Sequence, residues 1–136
     1  MATILVVDDE KNMCRALKIL LESDGYAVVT AETGGEALAE LDQMGTVDLI
    51  ISDLKMPDVD GIELLHKLQL QGRDIPVILI TAYGSIEVAV EAMKKGATDF
   101  VTKPFNKDVI RHIVRKTLEK FDVAKTPVAR CGGSDT

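Results

Sequence analysis

The stretch ILVVDD at residues 4–9 decides the fold, because four aliphatic residues run without interruption into two adjacent carboxylates. A second run, LIISD at residues 49–53, also ends in an aspartate. Two later runs end in other polar groups: VILIT at residues 77–81 stops at a threonine, and FVTK at residues 100–103 stops at a lysine. Aliphatic runs without in–out alternation are typical of parallel strands covered on both faces. The pattern therefore predicts a parallel sheet whose strands end in polar side chains.

Helical spacing fills the segments between these runs. The predicted strands are 3–8, 26–31, 47–53, 76–81 and 99–102, and the predicted helices are 11–23, 34–44, 61–71, 85–95 and 106–120. Apolar residues recur at i, i+3, i+4 and i+7 in the first and fourth helices, at Met13, Ala16, Leu17 and Leu20 and at Ile86, Ala89, Val90 and Met93. Five strand–helix units with right-handed crossovers predict a doubly wound α/β domain, with two helices on one face and three on the other.

Composition limits what the domain can do. The chain has 136 residues, of which 46% are apolar and only 4% aromatic, so we expect one domain with an aliphatic core. A net charge of -6 argues against direct nucleic acid binding, which needs clustered Lys and Arg. Cys14 and Cys131 stand far apart without a metal-ligand pattern, which favours a reducing cytoplasm and an apolar role for Cys14. No signal peptide or membrane span is expected, because no apolar stretch approaches the roughly 18–20 residues that a span needs.

The polar strand ends should meet, since the carboxyl ends of parallel strands share one edge of the sheet. Asp8, Asp9 and Asp53 would then lie together with Thr81 and Lys103. Carboxylates about 4–5 Å apart repel by a few kcal/mol at an effective dielectric near 20, so such a cluster raises a pKa or binds a cation. Oxygen ligands suit Mg²⁺, and an aspartate can attack phosphorus to give an acyl phosphate. The lysine would neutralise a phosphoryl oxygen and the threonine would donate a hydrogen bond to it.

Four motifs follow one another in order. They are DD at 8–9, DLKMP at 53–57 with DG at 60–61, TA at 81–82, and KPF at 103–105. With these motifs at successive strand ends, the chain resembles, over about residues 3–120, the receiver domains of bacterial two-component response regulators. The resemblance implies a flavodoxin-like, five-stranded parallel sheet of order 2-1-3-4-5 with five helices. We expect a receiver domain at 1–120 and a C-terminal linker or tail at 121–136.

The resemblance also implies a separate role for each residue of the acidic site. Asp53 is expected to accept a phosphoryl group from a sensor histidine kinase. Asp9 is expected to ligate Mg²⁺ directly, and Asp8 to do so directly or through water. The backbone carbonyl of Lys55 is expected to complete the protein ligands. Lys103 is expected to contact the phosphoryl group from a residue whose following peptide bond is cis.

A switch is implied as well. Thr81 and Phe100 match the switch pair of the family, in which the hydroxyl moves toward the phosphoryl group and the aromatic ring turns inward. The surface of the fourth helix, fifth strand and fifth helix shifts with them and is the expected homodimer surface. In physical terms, the added charge and acceptor oxygens bias an existing two-state equilibrium.

A finer likeness is carried by TAYGS at 81–85 and EAMKKGA at 91–97. These segments resemble the receivers of NtrC-type regulators, which precede an AAA+ ATPase that works with sigma-54 polymerase in transcription regulation. The chain contains no GxxxxGK[ST] pattern. AAA+ and DNA-binding output domains are therefore expected outside this chain.

Other polar residues receive a plainer interpretation. Asp58 and Asp60 are interpreted as loop and turn residues rather than ligands. His66 and His112 each lie alone on a charged helix and are interpreted as surface residues. Tyr83 is either a surface aromatic or a residue that controls water access to the phosphoryl site.

The expected receiver is not an enzyme in the sense of turning over a substrate. Two alternatives to it remain open. One is a phosphatase-like enzyme with an aspartyl phosphate, although such enzymes commonly carry an acid–base aspartate where this chain has Lys55. The other is a pseudo-receiver that acts only as an interaction module. The intact set of site residues, Asp8, Asp9, Asp53, Thr81 and Lys103, argues against this alternative. Turnover of a phosphate ester would indicate the enzyme, and failure to accept a phosphoryl group would indicate the module.

Overall fold

Strands and helices alternate strictly along the chain. The computed structural model describes residues 2–55, 59–81 and 86–125, with backbone only for residue 86 and residues 121–125. The elements are β1 (Thr3–Val7), α1 (Lys11–Ser23), β2 (Ala27–Ala31), α2 (Gly34–Met44), β3 (Leu49–Asp53), α3 (Gly61–Leu70), β4 (Val77–Thr81), α4 (Ile86–Lys94), β5 (Asp99–Thr102) and α5 (Lys107–Lys125). Nine of the ten predicted elements agree with these bounds within two residues, because runs of aliphatic residues and helical spacing are local signals.

The five strands form one parallel sheet of order β2-β1-β3-β4-β5, as predicted. The chain leaves β1 toward β2 on one side and returns to β3 on the other side. The strand order therefore reverses between β1 and β3, which is where open α/β sheets bind ligands. The register pairs Val7 with Ser52, Asp53 with Ile80, and Thr81 with Thr102, so the carboxyl ends of β1, β3, β4 and β5 lie side by side.

The sheet separates two aliphatic cores. Alternate residues of β1 point to opposite faces: Ile4 and Val6 pack with α1 and α5, whereas Leu5 and Val7 pack with α2, α3 and α4. The predicted division into two helices and three helices is confirmed. All five residues of β3 and of β4 are buried, which agrees with strands covered on both faces.

The buried faces of two helices coincide only in part with the apolar spacing that predicted them. In α1 the buried residues are Cys14, Leu17, Leu20 and Leu21, and Ala16 is exposed. In α4, Ala89 and Ala92 are buried, while Val90 is 44% and Met93 is 36% exposed. Alanines on the inner face let a helix backbone approach the sheet closely, and the larger side chains are then left outside.

Helix ends follow local chemistry. Thr33 caps α2 by accepting from the Glu36 backbone N–H at 3.0 Å, and the Glu36 side chain accepts in turn from the Glu32 N–H at 2.8 Å. Gly25 and Gly96 have φ of 96° and 113° after α1 and α4, a left-handed conformation that commonly ends helices. The last helix was predicted to end at 120, but α5 continues to Lys125, since neither glycine nor proline interrupts residues 107–125. Within the described part of the chain, every helix is too short or too polar to span a bilayer.

Candidate functional site

Three carboxylates converge at the point where β1 and β3 end. Asp8 follows β1 directly and is 1% exposed, Asp53 is the last residue of β3 and is 8% exposed, and Asp9 is exposed. One carboxylate oxygen from each of the three lies within 4.8 Å of the other two. The arrangement follows from the neighbouring strands, since β1 and β3 pair in register and stop at the same edge. The predicted acidic cluster is therefore present in the structure.

Among the described residues, only one of the two oxygens of the Asp8 carboxylate accepts a hydrogen bond. Its Oδ1 accepts a hydrogen bond of 2.9 Å from the Glu10 backbone N–H. Its Oδ2 is buried and has no hydrogen-bond partner among the described residues. Burial raises the pKa of Asp8 from 3.8 to about 6, the Glu10 N–H opposes the rise, and the Asp53 charge adds to it. A buried oxygen without a donor is a position that a cation would fill.

The pKa of the Asp53 carboxyl group is also raised. Burial raises the pKa of Asp53, the Lys103 ammonium counteracts the rise, and the nearby Asp9 charge reinforces it. Backbone N–H groups of Lys55 and Leu54 also lower that pKa. Oxygen-only donors with an excess of negative charge are the ligands that Mg²⁺ prefers, so the residues present fit this ion.

Lys103 lies over the acidic cluster. Its Nζ is 3.7 Å from Asp53 Oδ2 and 3.8 Å from Asp8 Oδ2. Its backbone N–H donates to the Thr81 carbonyl at 2.8 Å, which fixes the end of β5 against β4. The Lys103–Pro104 peptide bond is cis, as the family resemblance implied.

Glu10 also belongs to this site and was not singled out by the sequence reasoning. Its Oε1 lies 3.8 Å from Lys103 Nζ. The available signal was its place directly after the acidic pair, at the residue that precedes α1. Sequence spacing did not reveal that a residue at the start of α1 would face the residue after β5.

The remaining predicted residues lie at or beside the same edge. Thr81 ends β4 and is fully buried. Lys55 follows Asp53 by two residues and is exposed. Phe100 is half-buried in β5 and packs on the core beneath α2, α3 and α4. Thr81 and Phe100 thus lie on the neighbouring, paired strands β4 and β5.

The first turn of α3 packs directly on the strand end that carries Asp53. A Cβ on Gly61 would lie 2.9 Å from the Asp53 carbonyl oxygen and 3.0 Å from Leu54 Cα, so only glycine fits without a backbone shift. The Gly61 N–H donates to the Leu54 carbonyl at 2.8 Å. Asp60 caps α3 by accepting from the Glu63 N–H at 2.8 Å, which agrees with its interpretation as a turn residue.

Several plainer interpretations can be compared with the structure. His66 and His112 are exposed on α3 and α5, as predicted. Cys14 is buried in the core, and its Sγ lies 3.3 Å from the Asp8 carbonyl oxygen. The predictions for Asp58 and Tyr83 fall outside the described residues, as does Cys131.

A doubly wound parallel sheet of order 2-1-3-4-5, with clustered carboxylates and a lysine at its switch point, defines a class of phosphate-handling α/β domains. Residues 4–115 match the family described as the response regulator receiver domain. The chain belongs to this family.

Relatives and solved structures agree with that assignment. The chain is 43% identical over 119 residues to the transcriptional regulatory protein GlrR of Escherichia coli strain K12, covering 88% of this chain and 27% of the relative. It is 40% identical over 119 residues to the C4-dicarboxylate transport transcriptional regulatory protein DctD of Pseudomonas aeruginosa, covering 85% and 25%. The chain thus spans about a quarter of the length of these relatives.

Two solved structures show the same fold. A response regulator receiver domain protein from Clostridium thermocellum has a TM-score of 0.85 at 30% identity, covering 91% of this chain and 99% of that chain. NtrX from Brucella abortus has a TM-score of 0.86 at 33% identity, covering 92% of this chain and 29% of that chain. The receiver fold predicted from the motifs is therefore confirmed.

Proposed function

We propose that this receiver domain accepts a phosphoryl group on Asp53 from a phosphohistidine of a sensor histidine kinase, in a Mg²⁺-dependent reaction. One observation carries the proposal: Asp8, Asp9 and Asp53 present oxygens within 4.8 Å of one another, with Lys103 Nζ 3.7 Å from Asp53. A carboxylate that is crowded by like charges and faced by an ammonium is suited to hold a cation and a phosphoryl group together.

In the transfer step, an oxygen of the Asp53 carboxylate forms a bond to phosphorus as the bond from phosphorus to the donor nitrogen breaks. The leaving imidazole nitrogen takes up a proton. Lys103 neutralises a phosphoryl oxygen, and the Thr81 hydroxyl donates a hydrogen bond to another. Positioning and charge stabilisation provide most of the catalysis in reactions of this kind.

The Mg²⁺ site is proposed from the same residues. Asp9 and Asp53 would ligate the ion, with Asp8 acting directly or through water and the Lys55 carbonyl completing the protein ligands. The bound ion supplies neutralisation of the carboxylates and of the arriving phosphoryl oxygens. Asp8 is the residue that gains most from a cation, because its Oδ2 is buried without a hydrogen-bond donor among the described residues.

The output is proposed to be a changed surface on α4, β5 and α5. Thr81 and Phe100 would couple this surface to phosphorylation, because Thr81 ends β4 and Phe100 lies on the paired strand β5 and packs on the same core as Ala92 of α4. Exposed apolar side chains already mark it: Val90 and Met93 on α4, and Val109 on α5, which is 40% exposed. Such residues favour self-association, so we propose that phosphorylation controls a homodimer through this surface.

The wider role is inferred from the relatives. GlrR and DctD are named as transcriptional regulators and are about four times as long as the matched region. We infer an NtrC-type regulator in which residues 1–120 form the receiver and residues 121–136 lead toward a sigma-54-dependent AAA+ domain and a DNA-binding domain. A cytoplasmic location follows from this role. The receiver would catalyse its own modification without turning over a substrate, and Lys55 stands where a phosphatase-like enzyme would need a second aspartate.

Intact mass after incubation with acetyl phosphate and Mg²⁺ tests the proposal. The wild-type chain should gain one phosphoryl group, and neither the Asp53→Asn variant nor wild type in EDTA should gain it. Asp74→Asn, which changes an exposed aspartate, is the matched control and should behave as wild type. A wild-type protein that stays unmodified would contradict the proposal and favour an interaction module.

A further inference from the structure

The side chain of Glu10 lies near Lys103, although Glu10 stands at the start of α1, where side chains often cap the helix. It is the N-cap of α1, with extended backbone at φ -94° and ψ 114°, yet its side chain makes no capping hydrogen bond. The side chain instead brings Oε1 to 3.8 Å from Lys103 Nζ. The Glu10 backbone is anchored by its N–H bond to Asp8 Oδ1. Glu10 therefore presents a third carboxylate to Lys103, beside those of Asp8 and Asp53.

Lys103 is shared among its acidic neighbours rather than bound to one of them. Its Nζ lies 3.7 Å from Asp53, 3.8 Å from Asp8 and 3.8 Å from Glu10, and it makes no side-chain hydrogen bond to any residue in the described ranges. The Glu10 side chain is 65% exposed, whereas those of Asp8 and Asp53 are 1% and 12% exposed. Glu10 is thus the partner that water can solvate when the ammonium turns to another anion.

We propose that Glu10 is a positioning residue that acts through Lys103: it holds the ammonium in the resting site and competes with the arriving phosphoryl group for it. The inference rests on the proposed phosphorylation of Asp53. By occupying Lys103, Glu10 also keeps the ammonium from competing with Mg²⁺ for the buried carboxylates. Glu10 therefore favours binding of the ion and restrains transfer of the phosphoryl group.

The variant Glu10→Gln tests these two effects together, because glutamine keeps the shape and removes the charge. At saturating Mg²⁺, phosphorylation by acetyl phosphate should become about two- to fivefold faster, which is the range expected of a partly exposed ion pair. The dissociation constant of Mg²⁺, measured by calorimetry on the unmodified protein, should rise by about two- to fivefold. A general disturbance of the site would weaken Mg²⁺ binding and slow the reaction together, so a faster reaction with weaker binding separates the two cases.

A second background shows whether Glu10 acts through the lysine. In a Lys103→Met protein, Glu10→Gln should change the Mg²⁺ dissociation constant by less than about 1.5-fold, since only a screened, exposed charge is then removed. Glu10→Asp keeps the charge and should lie closer to wild type than Glu10→Gln in both measurements. Glu119→Gln changes an exposed carboxylate far along α5 and serves as the matched control.

Two results would overturn the inference while leaving the proposed function intact. One is a Glu10→Gln protein that is phosphorylated at the wild-type rate or more slowly. The other is an equal change in Mg²⁺ affinity with and without Lys103. A wild-type protein that accepts no phosphoryl group would instead remove the proposed function itself, so the two failures are distinguishable.

Discussion

Replacing Asp8 by asparagine should stabilise the metal-free protein at neutral pH. The carboxylate is 1% exposed, and its Oδ2 lacks a hydrogen-bond donor among the described residues. Asparagine keeps an oxygen that can accept from the Glu10 N–H, so this hydrogen bond of the side chain can survive the change. The substitution therefore removes a buried charge with little loss of contact.

The magnitude follows from the pKa. Folding raises the pKa of Asp8 from 3.8 to about 6, so the folded state disfavours the ionised form. An acid whose pKa is raised by folding does not destabilise the folded state at a pH below its unfolded pKa, where it is protonated in both states. Its destabilising effect grows as the pH rises toward the folded pKa. At about 1.4 kcal/mol per pH unit, the full cost above pH 6 is about 3 kcal/mol. The free energy of unfolding of Asp8→Asn relative to wild type should therefore increase between about pH 4 and pH 6 and then level off.

Urea unfolding in EDTA at a series of pH values measures this difference. Subtracting the wild-type profile removes the contribution of the acids that do not interact with Asp8, and Asp74→Asn, at an exposed aspartate, should give a flat difference. Saturating Mg²⁺ should reverse the order of stability, because the ion binds only the folded wild-type site tightly. If Asp8→Asn were less stable than wild type in EDTA at pH 7, the result would contradict the inference that the buried Asp8 charge destabilises the metal-free protein.

Two further substitutions, each with a control, test the packing beside Asp53 and the proposed surface on α4. Gly61→Ala should lower the free energy of unfolding by about 1–3 kcal/mol and slow phosphorylation, because its Cβ would press on backbone atoms of Asp53 and Leu54. Gly72→Ala, where φ is 71° and no atom lies within 4 Å of the added Cβ, should lose stability in urea unfolding without slowing phosphorylation. Val90→Glu should weaken self-association of the phosphorylated protein in sedimentation velocity while acetyl phosphate still modifies it fully. Ile19→Glu, at a 63% exposed residue of α1, should leave self-association unchanged, and equal loss in both variants would contradict a surface on α4.

The acidic cluster gives a physical reason why the proposed site would respond to both a cation and a phosphoryl group. Burial and mutual repulsion raise the pKa of Asp8 and of Asp53, and a single ammonium is divided among three carboxylates. The resting site is therefore short of positive charge. Any ligand that adds positive charge, or that redirects Lys103, changes the balance among all members of the cluster.

The amino-acid sequence by itself determined the strands, the helices and the site at their carboxyl ends. Aliphatic runs and helical spacing are local patterns, and parallel strands bring Asp8, Asp53, Thr81 and Lys103 to one edge whatever the details of packing. The family motifs added the strand order and the cis peptide bond after Lys103, and the structure shows both.

Only the tertiary structure decided which residues face which neighbours. Helical spacing cannot tell Ala89 and Ala92 from Val90 and Met93 as the buried side of α4, because the face that packs on the sheet is set by tertiary contacts. The contact between Glu10 and Lys103 joins the start of α1 to the end of β5, and no local pattern connects those two positions. The raised pKa of Asp8 likewise comes from burial, which depends on how elements distant in sequence pack around a charge.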